Sequence, residues 1–140
     1  MIAYIDTSTL VAYYCPEPMS EKVEAFLAKA ERPVVSHLTE VEMVSALSRK
    51  IREKNLSRQD GNKITALFQS HLTQNVFRKI PVEAKHFMMA KNWISQFNTP
   101  LRTLDALHLA VAAAAGLPLF TADTRLEKTA GLLGIKAFGP

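Results

Sequence analysis

The chain is short of several things, and each shortage removes a class of protein. It has one cysteine, Cys15, in 140 residues. No internal disulfide is possible and no cysteine cluster is available for zinc, so a reducing, cytoplasmic setting is expected. Long apolar runs are missing too. The most apolar stretch, Leu104 to Phe120, is broken by Asp105, His108, Gly116 and Pro118, whereas a membrane span needs about 20 apolar residues with few or no charges. The start carries no basic leader and meets an acid at Asp6, so no signal peptide is expected. There is no internal repeat, no low-complexity segment and no dividing linker. Aspartate is scarce as well, with only Asp6, Asp60, Asp105 and Asp123 in the whole chain.

What is present is an ordinary globular balance, 48% hydrophobic and 21% charged. A chain of this length buries roughly 68–70% of its unfolded surface and needs no staple to fold. It reads as one domain spanning residues 1–140. The net charge of +4 leans mildly toward polyanionic partners.

Ile2 to Ile5 are apolar or aromatic, which suits a short strand buried on both faces of a parallel sheet. A helical turn or two follows over Ser8–Tyr14, broken by Pro16 and Pro18. Ser20 reads as the N-cap of a helix with Val23, Phe26, Leu27 and Ala30 as its stripe. Val34–Ser36 is a short strand. Ser36 or Thr39 caps a long helix to about Lys54, with Asn55 as its stop. Ser57 opens another helix whose inner face is Ile64, Leu67, Phe68, Leu72 and Val76. A weak strand at Val76–Ile80 ends at Pro81. Glu83–Phe97 is helical, with Ala84, Phe87, Met88, Trp93, Ile94 and Phe97 toward one side. Thr103–Ala115 is apolar almost all round and should be the central helix. Leu117–Thr121 is a strand, Thr124–Leu133 a short helix ended by Gly134, and Ile135–Phe138 a final edge strand. Strands alternating with helices predict an α/β fold: a central parallel sheet of four or five short strands flanked by helices in three layers.

Asp6, Asp105 and Asp123 each lie where a strand or loop meets a helix. Each has an ordinary explanation as a cap or a dipole partner. Two features point further. Asp105 sits in an otherwise apolar helix, where a carboxylate needs a partner or a ligand. Asp6 and Asp123 both follow strands of one parallel sheet, so they emerge on the edge where such sheets bind ligands. A fourth acid comes from the helix after the second strand. Glu40 and Glu42 are separated by about 200° of rotation, so both cannot face one site. Glu42 shares its face with Ser45, Ala46 and Arg49, which leave room for an ion, and it is the expected member. Three aspartates and a glutamate form a hard oxygen set suited to Mg²⁺ or Mn²⁺.

These residues resemble the PIN domain. The resemblance rests on Ile5-Asp6-Thr-Ser8, on Ser36-x-x-Thr39-x-x-Glu42-x-x-x-Ala46-Leu47, on Leu104-Asp105-Ala-Leu-His-Leu-Ala110 and on Phe120-Thr-Ala-Asp123-x-x-Leu126, in that order. The small size and motif order are similar to the VapC toxins of type II toxin–antitoxin modules, and the match runs from Met1 to the Gly134-Ile135 region. It implies a parallel sheet flanked by helices and an endoribonuclease that hydrolyses single-stranded RNA. Asp6, Glu42, Asp105 and Asp123 would be both metal ligands and catalytic residues, with Mg²⁺ as cofactor and Mn²⁺ as a substitute. It further implies products with 5′-phosphate and 3′-hydroxyl ends, a homodimer, and a small antitoxin whose tail occupies the groove. Some relatives carry a further acid shortly after the fourth; here only Glu127 is near, so a second metal site is expected to be weak. Arg49, Arg102, Ser8 and Thr121 are the candidate substrate contacts.

Other readings fit less well. Glu83-x-x-His86 and Asp105-x-x-His108 have the spacing of di-iron ligands, but a helical bundle has no use for the β-like runs. Read alone, His108 is a hydrogen-bonded core histidine. Asp6-Thr-Ser8 lacks the second aspartate of Asp-x-Asp phosphatases. A catalytically weak PIN-like module that only binds RNA or a partner remains the alternative, although all four acids are present. The basic run Arg49, Lys50, Arg52, Lys54 and Arg58 is either a solvated helix end or a rim that guides phosphates.

Overall fold

Successive residues of a strand face opposite sides of a sheet. The short apolar runs of this chain use that alternation to build two cores. The computed structural model describes residues 1–140. Its elements are β1 (Tyr4–Ile5), α1 (Thr7–Tyr14), α2 (Ser20–Lys29), β2 (Val34–Ser36), α3 (His37–Arg52), α4 (Arg58–Thr73), β3 (Arg78–Ile80), α5 (Ala84–Ile94), α6 (Thr103–Ala114), β4 (Leu119–Phe120), α7 (Thr124–Leu132) and β5 (Ala137–Phe138). All strands pair in parallel in the order β3-β2-β1-β4-β5. Tyr4 lies opposite both Val34 and Leu119, and Ile5 opposite Phe120.

Ile5, Val35 and Phe120 therefore share one face, packed on Leu10 and Val11 of α1, Val23 of α2, Met43 and Leu47 of α3, and Phe68 of α4. Tyr4, Val34 and Leu119 share the other, packed on Leu109 and Val111 of α6 and on Leu126 and Ala130 of α7. Burying one such large apolar side chain is worth about 1.5–3 kcal/mol, against about 0.5–1.5 kcal/mol net for a hydrogen bond. With strands this short, packing on both faces rather than the ladders holds the sheet together. The result is the expected three-layer α/β/α arrangement.

From β1 the chain steps outward to β2 and β3, then returns through α5 and α6 to add β4 and β5 on the other side. The reversal opens a crevice at the carboxyl ends of β1 and β4, the position where open α/β sheets bind ligands. Ala106 to Ala112 of α6 are all buried, which makes it the central helix. Gly116 (φ +68°) and Gly134 (φ +74°) take the left-handed conformation that stops α6 and α7. No helix is long and apolar enough to cross a membrane.

Several local expectations are corrected. Ser20 is the first residue of α2, not its cap; its hydroxyl donates to the Cys15 carbonyl and accepts from the Glu17 amide. The turn after α3 is made by Lys54 at φ +62° rather than by Asn55. In α4 the i, i+4 seam Ile64, Phe68, Leu72 packs on the core, which leaves Leu67 exposed, as is Val76 beyond the helix. In α5 the His86 ring accepts from the Glu83 amide at 2.8 Å, and this capping box turns His86 inward. Helical spacing then buries Ala90 and leaves Ala84, Phe87 and Met88 outside, with Phe97 exposed beyond the helix end.

Candidate active site

A crevice of about 620 Å³ opens over the carboxyl end of β1, and its wall contains Asp6, Glu42, Asp105 and Asp123. Four elements deliver the four acids. Asp6 is the residue between β1 and α1, Glu42 lies in α3, Asp105 in the first turn of α6, and Asp123 caps α7. Glu40 faces away and pairs with Lys79. Ser45, Ala46 and Arg49 line the crevice beside Glu42, as their shared helical face requires.

Asp6 occupies an N-cap position but makes no capping hydrogen bond. Its Oδ2 instead accepts from the Ser8 hydroxyl at 2.7 Å and from the Thr121 hydroxyl at 2.9 Å. Thr121 is buried, and its hydroxyl is directed at Asp6. Ser8 is exposed on the crevice wall. Asp123 does cap: its Oδ1 accepts from the Arg125 and Leu126 amides at 2.9 and 3.2 Å. Glu42 uses Oε1 alone, accepting from the Thr7 hydroxyl at 2.8 Å and from Nε2 of His108. Each of these three carboxylates is thus steered by one oxygen and keeps the other without a protein partner. Asp105 makes no side-chain hydrogen bond at all.

The electrostatics follow. Burial pushes the Asp105 carboxyl above the ordinary range, and the charge of Asp6 adds to it; Asp123 and Glu42 push the same way and only His108 opposes them. Burial also pushes Glu42 up, but the hydrogen bond and charge of His108 and the Thr7 hydroxyl outweigh it and hold Glu42 below its usual value. Four carboxylates that repel one another, with free oxygens and no sulfur nearby, are a donor set for a hard divalent cation. They do not yet enclose one: no three of the chain's His, Cys, Asp and Glu side chains are drawn together tightly enough to hold an ion.

Arg49, Lys50 and Arg52 line the α3 side of the crevice. Arg49 pairs with Glu53 at 3.0 Å and Lys50 with Glu17 at 3.2 Å. Arg102 stands elsewhere, on the far side of Asp105 and Asp123. Sequence reasoning placed His108 in the core, and it is 1% exposed. Its contact with Glu42 was missed. The available signal was the three-residue spacing from Asp105, which sets His108 one turn deeper on the same face.

Residues 3–132 match the sequence model of the PIN domain. No curated protein matches the chain by sequence. Solved structures do match its fold. VapC20 of Mycobacterium tuberculosis, a sarcin–ricin loop cleaving toxin, is 18% identical with a TM-score of 0.73, covering 92% of this chain and 95% of its own. VapBC2 of Rickettsia felis, bound to a fragment of its promoter, is 17% identical with a TM-score of 0.70, covering 99% of this chain and 98% of its own. DNA-bound VapBC of Salmonella typhimurium is 16% identical with a TM-score of 0.72, again covering 99% and 98%. The family's sequence pattern runs from the strand that precedes Asp6 through the helix that Asp123 caps, and the chain belongs to the PIN domain family.

Proposed function

We propose that the chain is a metal-dependent endoribonuclease, the toxin half of a type II toxin–antitoxin pair. The observation that carries this reading is the convergence of four carboxylates from four elements on one crevice, three of them steered through a single oxygen. Asp6, Glu42, Asp105 and Asp123 would hold Mg²⁺, or Mn²⁺ in its place. A bound ion supplies Lewis acidity, which lowers the pKa of water and offsets the charge of a phosphodiester.

The chain's own groups do the rest. Ser8 and Thr121 fix Asp6, the first amides of α7 fix Asp123, and His108 with Thr7 fixes Glu42 in its ionised form. Arg49, Lys50 and Arg52 raise the local concentration of a polyanion at the crevice mouth. Arg102 contacts the strand from the other side. Toxin–antitoxin complexes among the structural neighbours support a small antitoxin as partner, and the chain is expected to act as a homodimer. The single, buried Cys15 suits the cytoplasm.

The test is cleavage of a structured RNA pool by purified protein, with Mg²⁺ or Mn²⁺ against EDTA, beside Asp6→Asn. Cleavage that needs the metal and disappears in the variant is expected. Equal cleavage by both proteins would point to a contaminant and remove the support for this reading.

A further inference from the structure

Asp105 and Asp123 form a wall between two cavities. On one side is the crevice that also holds Asp6 and Glu42. On the other is a pocket of about 310 Å³ whose lining includes Arg102 and Arg125. Each arginine is placed by the helix start that places an acid. Arg102 is the N-cap residue of α6, three positions before Asp105, and Arg125 lies in the first turn of α7, two positions after Asp123. The pairing of cation with acid is therefore fixed by backbone and not by a mobile loop tip.

The two arginines are also unengaged. Neither guanidinium takes part in any ion pair of the protein. The cations of the α3 rim differ: Arg49 is held by Glu53, Lys50 by Glu17 and Arg52 by Ser48. Nor does either guanidinium bond to the acids beside it: Asp123 accepts only from the Arg125 and Leu126 backbone amides. Two exposed guanidinium groups around one pocket offer the fork geometry that phosphate oxygens accept.

We propose that this pocket is a phosphate-binding subsite for RNA. It takes a backbone phosphate next to the one presented to the four acids, so that the strand crosses the Asp105–Asp123 wall from the α3 side to the Arg102–Arg125 side. The proposal rests on the ribonuclease reading above and adds to it where the substrate runs.

Counterion release gives a readout that a structural role would not move. Each phosphate neutralised on a single strand contributes about −0.7 to the slope of log K against log salt. Binding of a labelled oligouridylate is measured by fluorescence anisotropy across a salt series, with calcium present. Arg102→Ala and Arg125→Ala are each expected to make the slope about 0.7 less steep and to weaken binding severalfold. Arg125→Lys keeps the charge and should keep the slope. Arg32→Ala, at the amino-terminal edge of the sheet before β2, should match the parent in both respects. In cleavage assays the two alanine variants raise KM and leave kcat close to the parent. Unchanged slopes in both, with a parent that binds and cleaves, overturn the subsite and leave the nuclease reading standing. A parent that neither binds nor cleaves overturns both.

Discussion

The Tyr4 phenol oxygen lies 2.6 Å from Nδ1 of His108, while Nε2 of the same ring meets Oε1 of Glu42. Tyr4 also reaches the Ser36 hydroxyl at 2.8 Å, and Ser36 is the N-cap of the helix that carries Glu42. The first strand, the central helix and the start of α3 are thus tied through one buried polar chain that ends on a carboxylate of the crevice. Ser36, Tyr4 and His108 are all essentially inaccessible, so each depends on the others for its hydrogen bonds. Burial, aided by the charges of Glu42 and Asp6 and only partly offset by the Ser36 and Thr39 hydrogen bonds, drives the Tyr4 hydroxyl above its ordinary pKa, and it serves as a neutral hydrogen-bonding group.

The first prediction concerns that chain. Tyr4→Phe keeps the ring packing but leaves Nδ1 of His108 and the Ser36 hydroxyl short of a partner. It should cost about 1–3 kcal/mol, the usual penalty for an unsatisfied buried polar group, measured by chemical denaturation. His108→Ala removes the group that steers Glu42 and should lower cleavage or metal affinity about 10–100-fold, as losses behind a ligand do. A folded His108→Ala protein that cleaves at the parent rate at every Mg²⁺ concentration would show that Glu42 needs no such support.

The second concerns Asp105. Its pKa is raised in the folded state by burial and by Asp6. The stability tied to its protonated form is complete below the unfolded value and is lost as pH rises through the folded one. Asp105→Asn should therefore unfold at a higher temperature than the parent at neutral pH in EDTA, and the lead should shrink as pH falls through the carboxylate range. Mg²⁺ should reverse the order by stabilising the parent alone, by about 2.7 kcal/mol at a concentration near 100 Kd. Cleavage by the variant should be absent.

The layers were legible in the sequence because a run of apolar residues, a break and a helical stripe are each local signals. So was the edge on which the acids meet, since strand ends in one parallel sheet share a direction. Choosing Glu42 over Glu40 needed only the rotation of a helix and the small side chains of Ser45 and Ala46 beside Glu42. What stayed hidden was set by partners distant in sequence. Thr121 reads as a polar residue at a strand end, and only the fold shows that its hydroxyl closes on Asp6, 115 residues away. His108 reads as a core residue, and the 66-residue separation conceals Glu42. Of the six apolar residues read toward one side of α5, Trp93 and Ile94 are partly buried, but Ala84, Phe87, Met88 and Phe97 are exposed, because the His86 capping contact sets the rotation.

Phe97 gives a third prediction. It sits just past α5 at φ +53° and is 90% exposed. A side-chain-bearing residue in the left-handed region costs roughly 1–2 kcal/mol, and glycine avoids that at an entropic cost of roughly 0.5–1 kcal/mol. Phe97→Gly should therefore raise Tm by a few degrees in a dilute thermal melt. A lowered Tm would mean that the ring is covered by another surface in solution.

The last prediction separates two glutamates on one helix. Glu40 pairs with Lys79 at a partly exposed site, and such pairs are worth about 0.2–1 kcal/mol. Glu40→Gln should move stability within that range and leave cleavage unchanged. Glu42→Gln keeps the shape of the side chain and removes its charge, so cleavage should fall at least tenfold, on the order seen for perturbed ligand shells. Its pH signature is distinct as well. Although burial alone raises it, the Glu42 pKa is lowered overall by His108 and Thr7, so the stability Glu42 supplies is present above its unfolded value and lost as pH falls through the folded one. In EDTA, Glu42→Gln should be less stable than the parent at neutral pH and converge with it in acid, where Asp105→Asn starts ahead and converges. Two carboxylates of one crevice then show opposite slopes in stability against pH. Parallel slopes in the two melting series would contradict the placement of His108 against Glu42.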